Sequence, residues 1–577
     1  MASKPSRSPL RLSAATVFLD RLAARRAGRF SSVPPLPVLP EPQAIGDFAR
    51  GRQIASGRIR LGGEVIEIAG RSLWDAAATP AAAAEAQSFA WLDDLAAVGD
   101  SSARRLAQGW SADWIARYGR GRASGRPGGN PWSPAATAPR LIRMIEHASL
   151  LTRGGDPAPL ALAIARQALL LAARAHALPA GAPRIPALCA LTRASLLLPA
   201  LGLTLPLESL SQDCATAFGP DGDIAGRNPE ALLDLFSLLI GAARALAEAD
   251  RSPPGALLDA IGRIAPTLRA LRHADGGLPR FHGGDRGVEG RLDTALAASG
   301  IRDRAQTPLH MGFARLSAGR TTIILDAAAP PPGSAAQAST LAFELTSGRR
   351  PLVVSCGPGE PFGPDWHRAA RATLSHSTLC LDGHSSARLP PGSDRFTELP
   401  GRVICEQTPL THGLRIETAH DGWTRSHGLT HARTLDLSRD GRALTGEDIL
   451  LTLTEADRAV FDRTTGGRGL GFSLRFHLHP DVTAIPEGEA LALVLRSGEV
   501  WLFYHDHSAR RSLEPSVYLD STRLRPRPSQ QVVLSAGAMS YSTRIRWTLA
   551  KAGDTPQGLR DLAGNEGTED GTEDQDR

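Results

Sequence analysis

Residues 312–355 read GFARLSAGRTTIILDAAAPPPGSAAQASTLAFELTSGRRPLVVS. Within them, 321–325, 341–345 and 352–355 are short runs of apolar and β-branched residues, each closed by Gly, Pro, Asp or a polar turn. Runs of that length and punctuation read as β-strands. The same pattern returns at 377–381, 473–479 and 499–504. Upstream the period is different. Residues 229–248, PEALLDLFSLLIGAARALAE, repeat their apolar positions every three to four residues, as a helix does. That helix opens on Asn228-Pro229-Glu230, where Asn caps, Pro fits the first turn and Glu faces the positive helix end. The change of period near residues 283–310 predicts a multidomain α+β chain, helical first and an antiparallel β-sandwich second.

Working outward, the helical period covers residues 82–275. Phe89, Leu92, Leu95 and Ala96 share one face, and Leu106, Trp110, Trp114 and Ile115 another. Further helices are expected at 158–176, 186–198 and 254–272. Residues 1–80 read as an extended lead-in rich in Pro, with a short hairpin near 51–70. The helical domain is placed at 81–285, a Gly- and charge-rich linker at 286–309 and the sandwich at 310–560. Residues 561–577 hold seven acids and almost nothing apolar, the composition of a disordered tail.

Bulk composition narrows the function classes. Hydrophobic residues make up 42% and charged residues 21% of the 577, as in ordinary globular proteins. Lysine occurs only at Lys4 and Lys551, so almost all the positive charge is arginine, the side chain that grips planar oxyanions in bidentate fashion. The net charge is +6 although segment 561–577 contributes −6, which leaves +12 on the rest. Such a body steers acidic ligands. No nucleic-acid motif accompanies the charge, so no nucleic-acid partner is expected. The five cysteines are odd in number and no pair has metal-ligand spacing, so neither a disulfide framework nor a zinc knuckle is read. No apolar run of 18 residues is free of charge: the apolar face at 165–180 is broken by Arg166 and Arg174, and no transmembrane segment is expected. The N-terminal stretch 12–22 is interrupted by Ser13, Thr16, Asp20 and Arg21 and does not read as a signal peptide. Oligomeric state is not legible.

Several blocks, in order, carry a resemblance. FAWLDDL (89–95), NPWSPAATAPRLIRMIEHA (130–148), PDGDIAGRNPEALLDLF (220–236) and LRHADGGLPRFHGG (271–284) lie in the helical half. TLAFELTSGRRPLVVSCG (340–357), WHRAARATLSHSTLCLDGHSSARL (366–389), THARTLDLSRDGRALTGEDIL (430–450) and FSLRFHLHP (472–480) lie in the strand half. Together they resemble bacterial heparinase II/III-like proteins, a group of polysaccharide lyases, over residues 85–550. The resemblance implies an incomplete α/α toroid and a β-sandwich with a groove for an acidic, uronate-containing polysaccharide or oligosaccharide. It implies β-elimination: a cation neutralises the uronate carboxylate, a base takes the C5 proton and an acid helps O4 leave. The alternative is a non-catalytic glycan-binding or assembly protein that keeps the scaffold. The sequence carries no signal for export, as a cytoplasmic chain would, whereas the resemblance implies the cell envelope.

The resemblance also assigns residues. Arg371-Ala372-Thr373-Leu374-Ser375-His376-Ser377-Thr378 matches the block in which a His precedes Asn/Ser-Thr. His376 is therefore the catalytic candidate of the sandwich, with Arg371 beside it for substrate. Lyases of this kind carry Ser-Pro-x-Tyr-His after an Asp-Gly-Gly turn, with the Tyr as base and acid. Here the turn is Asp221-Gly222-Asp223, and Ala231 and Leu232 stand where the Tyr and His would be. The usual Asn-His pair of an earlier helix falls at Arg184-Ile185. The usual helical-domain residues are thus absent. Substitutes are Arg184 or Arg227 for the carboxylate, Asn228 or Glu230 lining the groove with Glu230 as replacement base, and His282 in RFHGG. Helix capping is the plainer role of Asn228 and Glu230. Trp132, flanked by Gly and Pro, is the candidate sugar platform, whereas Trp91, Trp110 and Trp114 fall at core spacing. No cofactor is expected. His477 and His479, two apart on one strand, could join His431 in a structural metal site of the sandwich.

Overall fold

The computed structural model describes residues 14–36, 41–68, 70–122, 130–305 and 307–553. The acidic segment 561–577 lies outside the described residues. The chain divides into two compact units, one of residues 1–219 and 234–263, the other of 220–233 and 264–577.

The first unit is an incomplete α/α toroid. It begins with α1 (Ala14–Gly28), α2 (Phe48–Ala55) and a hairpin, β1 (Arg58–Leu61) with β2 (Glu64–Glu67). Then come α3 (Leu73–Ala76), α4 (Pro80–Ala86), α5 (Ala90–Val98), α6 (Ser101–Tyr118), α7 (Pro134–Glu146), α8 (Ala148–Thr152), α9 (Ala158–Arg174), α10 (Ile185–Leu197) and α11 (Leu207–Ala217). The stretch 1–80, expected as an extended lead-in, thus carries helices as well as the hairpin. Local chemistry sets the helix starts. The Asp100 carboxylate accepts the Ala103 amide at 2.8 Å to open α6, and Ser133 precedes Pro134 at the head of α7. The helix formed by Ala158–Ala177 is long and apolar enough to cross a membrane by length and composition alone, but two-thirds of its window is buried inside the protein. Its arginines are engaged there: Arg166 donates to the Phe30 and Gly119 carbonyls, and Arg174 pairs with Asp20 at 2.7 Å. Two helices carry the chain between the units, α12 (Pro229–Glu248) and α13 (Gly255–Leu271).

The second unit holds α14 (Arg291–Ser299), which occupies part of the stretch expected as a linker, and then the antiparallel sandwich. Its first strands are β3 (Leu309–His310), β4 (Phe313–Ala318), β5 (Thr321–Asp326), β6 (Phe343–Ser347) and β7 (Arg350–Val354). A short helix α15 (Pro364–Ala369) precedes β8 (Leu379–Leu381), β9 (Val403–Leu410) and β10 (Gly413–Trp423). After α16 (Thr424–His427) come β11 (Leu429–Ser438) and β12 (Ala443–Leu451). After α17 (Glu455–Thr465) come β13 (Leu470–Leu478), β14 (Val482–Glu487), β15 (Ala490–Leu495), β16 (Val500–His505), β17 (Arg510–Tyr518), β18 (Arg527–Ala538) and β19 (Ser542–Lys551). One sheet runs β14-β15-β16-β19-β12-β11-β10-β9, the other β17-β18-β13-β7-β6-β5-β4-β3 with β8 on β13. The strand runs read from residues 321–355 are β5, β6 and β7.

The sandwich core lies between the sheets. Trp547 of β19 stacks on Phe343 of β6 with centroids 5.7 Å apart and planes 2° apart, and meets Phe476 of β13 edge-on at 4.8 Å. Gly446, opposite Trp547 in the β12–β19 ladder, makes room for that indole: a Cβ there would sit 2.1 Å from the ring. Burial of this aromatic and aliphatic layer is the main stabilising term, at roughly 25 cal/mol per Å² of apolar surface.

Candidate functional site

His376 sits at the start of the extended segment that leads into β8, after the turn Thr373–Ser375. Its side chain is fully buried. Nδ1 lies 3.2 Å from the Ser355 hydroxyl, Nε2 meets no hydrogen-bond partner among the described residues, and the ring packs 6.2 Å from Phe281. Burial pushes its pKa down to about 3, helped by the neighbouring His477 and His282. The imidazole is neutral at pH 7. Behind it His477, held down to about 4 by burial, bonds Ser516 Oγ at 2.7 Å and the Leu374 carbonyl at 2.9 Å.

His282 follows Phe281 in the chain, its ring 6.5 Å from that of Phe281, and is also fully buried. It follows a sharp bend and takes φ of 53°, a left-handed conformation that costs a non-glycine residue energy and needs support. The support is Gln337, whose side-chain Oε1 accepts the His282 backbone N–H at 2.6 Å and whose backbone N–H donates to His282 Nδ1 at 3.3 Å. Because Nδ1 accepts, the neutral ring carries its proton on Nε2, which stands 3.3 Å from Asp326 Oδ2.

Asp326 is the centre of the cluster. It ends β5, a strand buried at every position, so its charge requires partners. Burial alone would raise its pKa, but Arg227 and then His282 override that and hold the carboxylate well below the usual range. Arg227 pairs with Oδ1, and Ser339 donates to Oδ2 at 2.6 Å. The rest of the Arg227 guanidinium donates to the carbonyls of Met311 (2.7 Å), Ala329 (2.8 Å) and Gly312 (3.0 Å), and its face lies 4.7 Å over Phe313. A second buried ion pair stands beside it: Arg280 bonds Asp285 at 2.8 Å and the Ser355 carbonyl at 3.0 Å.

Arg371 is buried; its Nε donates to the Ala336 carbonyl at 2.7 Å and its guanidinium lies 4.8 Å over Phe396. Asn228 caps α12, its Oδ1 accepting the Ala231 amide at 3.0 Å, and Glu230 accepts the Asp285 amide at 2.8 Å. Ala231 and Leu232 offer no proton-transfer group, and Leu232 is buried. In the helical unit, Arg184 grips Asp213 with two bonds of 2.6 Å, so its bidentate fork already holds a carboxylate of the protein itself.

The sugar-platform reading of Trp132 is corrected. The ring is fully buried, 6.1 Å from Trp114, with Nε1 on the Tyr118 carbonyl at 2.9 Å. The three candidate metal ligands do not converge. His431 Nε2 is engaged by Asp448 at 2.7 Å, His477 faces Ser516, and His479 Nδ1 accepts the Asp481 amide at 3.2 Å. Among the described residues no group of three His, Cys, Asp or Glu side chains is disposed to hold a metal ion.

Residues 303–548 match the sequence model of the family described as heparinase II/III-like, C-terminal. FtsZ-localized protein C of Caulobacter vibrioides (strain NA1000 / CB15N) is 30% identical over 543 residues, covering 89% of this chain and 91% of that protein. The chain belongs to the heparinase II/III-like family. Within that family, the crystal structure of heparinase III aligns with a TM-score of 0.63 at 12% identity, over 92% of this chain and 89% of that one. Heparan sulfate lyase HepC from Pedobacter heparinus aligns with a TM-score of 0.53 at 13% identity, over 95% and 89%. At such identities the likeness speaks for the fold: helical toroid first, β-sandwich second.

Three residues that build this buried cluster are not among the candidates read from the sequence: Asp326, Gln337 and Ser355. One signal was available, an acid closing the otherwise apolar run TTIILD.

Proposed function

We propose that this chain is a non-catalytic member of the heparinase II/III-like family, one that keeps the lyase scaffold for assembly. The observation that carries the reading is the closed state of the polar cluster. β-Elimination needs a cation on the uronate carboxylate and a proton-transfer group within hydrogen-bond reach of the sugar. Arg227 has its donors on Asp326 and three carbonyls, and Arg184 has its fork on Asp213. His376 is buried and Ala231 replaces the tyrosine. The name of the Caulobacter relative supports the same direction, since it describes a protein localized with FtsZ. Carried over, it points to FtsZ, or an assembly containing it, as the partner of this chain.

Two measurements test this. Incubation with a panel of uronate polymers, followed by ultraviolet absorbance of the unsaturated product, should give no signal above a no-protein control. Immobilised full-length chain should retain purified FtsZ from the matched organism. Product formation lost in His376→Gln would overturn the non-catalytic reading; failure to retain FtsZ would overturn the assembly partner. One observation favours the second reading, a lyase acting on an acidic polysaccharide: His376 matches the family's His, and its Nε2 meets no hydrogen-bond partner within 3.5 Å among the described residues.

A further inference from the structure

Seven segments gather at one end of the sandwich. The β4–β5 turn meets the β11–β12 turn backbone to backbone: a Cβ on Gly441 would sit 2.0 Å from the Ala318 carbonyl oxygen, and Thr321 Oγ1 donates to the Gly441 carbonyl at 2.7 Å. The β6–β7 turn joins them through the Gly348 amide on the Arg320 carbonyl at 2.7 Å. The β9–β10 turn joins through the Arg439 amide on the His412 carbonyl at 2.8 Å. The end of β19 closes the group, with the Lys551 amide on Arg442 and the Ala552 amide on Val500 beside the β15–β16 turn. The β13–β14 turn adjoins through the Val482–Leu495 register.

These segments bring seven cations together: Arg320, Arg349, Arg350, Arg439, Arg442, Arg496 and Lys551. Their acids are Asp440, Asp481 and Glu499. Glu499 is buried and pairs with Lys551 at 3.2 Å, and Asp481 pairs with Arg527 at 2.9 Å. Asp440 accepts the Ser438 hydroxyl at 2.6 Å. Arg320, Arg349, Arg439 and Arg496 are exposed. The surface is a concentrated positive field. It suits an acidic polymer more than a small anion.

One acidic polymer is already tethered there. The chain leaves the sandwich from Lys551, in the middle of this surface, and its residues 561–577 carry seven acids against one base. From Gly553 to Asp561 there are eight residues, enough for up to about 27 Å of extended chain. We propose that the acidic segment 561–577 docks on this basic end of its own sandwich and competes there with external polyanions. The contact needs no fixed conformation, only charge. A short tether supplies an effective concentration on the order of mM, so a weak site is still occupied. The contact is screened at high salt, where the Debye length shrinks to roughly 3 Å at 1 M.

The test uses a fluorescein-labelled peptide of residues 561–577 and fluorescence anisotropy at low and high NaCl. A chain ending at Arg560 should bind the peptide at low salt and lose it at high salt. The full chain, with the site already occupied, should bind it at least about tenfold more weakly. Replacing Arg320→Glu, Arg439→Glu and Arg496→Glu together in the shortened chain should remove binding. The charge-matched control Arg105→Glu, Arg153→Glu and Arg302→Glu, all exposed, should retain it. Equal binding by full and shortened chains overturns the proposal, as does equal loss in the two triple variants. Capture of labelled heparin but not of the peptide by the shortened chain also overturns it, and marks the surface as a site for an external polyanion.

Discussion

Arginine plays opposite parts in two regions of the β unit. Around Asp326 it is buried and fully engaged: Arg227 meets one carboxylate and three carbonyls, and Arg280 meets Asp285 and the Ser355 carbonyl. At the turn-bearing end of the sandwich the cations outnumber the acids and four of them are exposed. A charge in the first region holds the fold together; a charge in the second lies at the surface and adds to a field that a partner meets. Net charge read from the sequence merges the two, which is why a body of +12 does not locate a ligand. The place to look for acidic partners is the turns, and the family-matched histidine lies in the other region.

The largest effect should come from breaking the buried cluster. Asp326→Ala strands Arg227 and removes the acceptor of Ser339 and the neighbour of His282. Breaking a buried pair from one side costs about 3–5 kcal/mol. Urea unfolding followed by tryptophan fluorescence should show a β-unit transition at correspondingly lower denaturant. A loss under about 1 kcal/mol, the scale of an exposed pair, would mean water reaches the cluster, and the contrast between the regions would fail. Adding salt sharpens it: 0.5 M NaCl should release the acidic peptide while leaving the Asp326 contribution nearly intact.

A smaller effect is expected from acid. Asp448 is buried among Arg433, His431 and Trp547. Burial would raise its pKa, but Arg433 and then His431 bring it down to about 2. A depressed carboxylate contributes stability that is present above its unfolded value, near 3.8, and lost as pH falls toward 2. The contribution is about 2 kcal/mol. Unfolding curves between pH 5 and pH 2 should therefore steepen in the wild type and flatten in Asp448→Asn. The same slope in both would mean other carboxylates dominate the acid limb.

These expectations also mark what was legible in the sequence. The strands at 321–325, 341–345 and 352–355 were legible because a buried strand keeps its apolar run whatever its partners. The fold switch was legible for the same reason. The Asp326 cluster was not, since it joins Arg227 and Asp326 across 99 residues and no local pattern carries that pairing. Arg184 read as a free fork because Asp213 lies 29 residues away. Trp132 misled through its Gly- and Pro-rich sequence neighbours: the chain turns at Pro131-Trp132, and the indole packs inward onto Trp114. His376 was found by resemblance, but its burial depends on Phe281 and Ser355, which only the tertiary fold supplies.

The smallest effect separates capping from substrate contact at Asn228. Its Oδ1 accepts the Ala231 amide, one of the four orphan donors at the head of α12. It also stands close to the backbone at Gly284, where a Cβ would approach Oδ1 to 2.7 Å. Asn228→Ala should remove the cap and cost about 1 kcal/mol, whereas Asn228→Asp keeps an acceptor and adds favourable charge at the positive helix end. Thermal unfolding should then rank wild type and Asn228→Asp together above Asn228→Ala. A groove residue behaves the other way: the alanine variant would lose polymer binding at unchanged stability, and the aspartate would repel a uronate as strongly as any acid there. Stability loss in Asn228→Ala with unchanged heparin binding assigns the residue to the fold and leaves the basic turns as the polyanion surface of this unit. The reverse pattern would return the segment Arg227-Asn228-Pro229-Glu230 to a site for substrate.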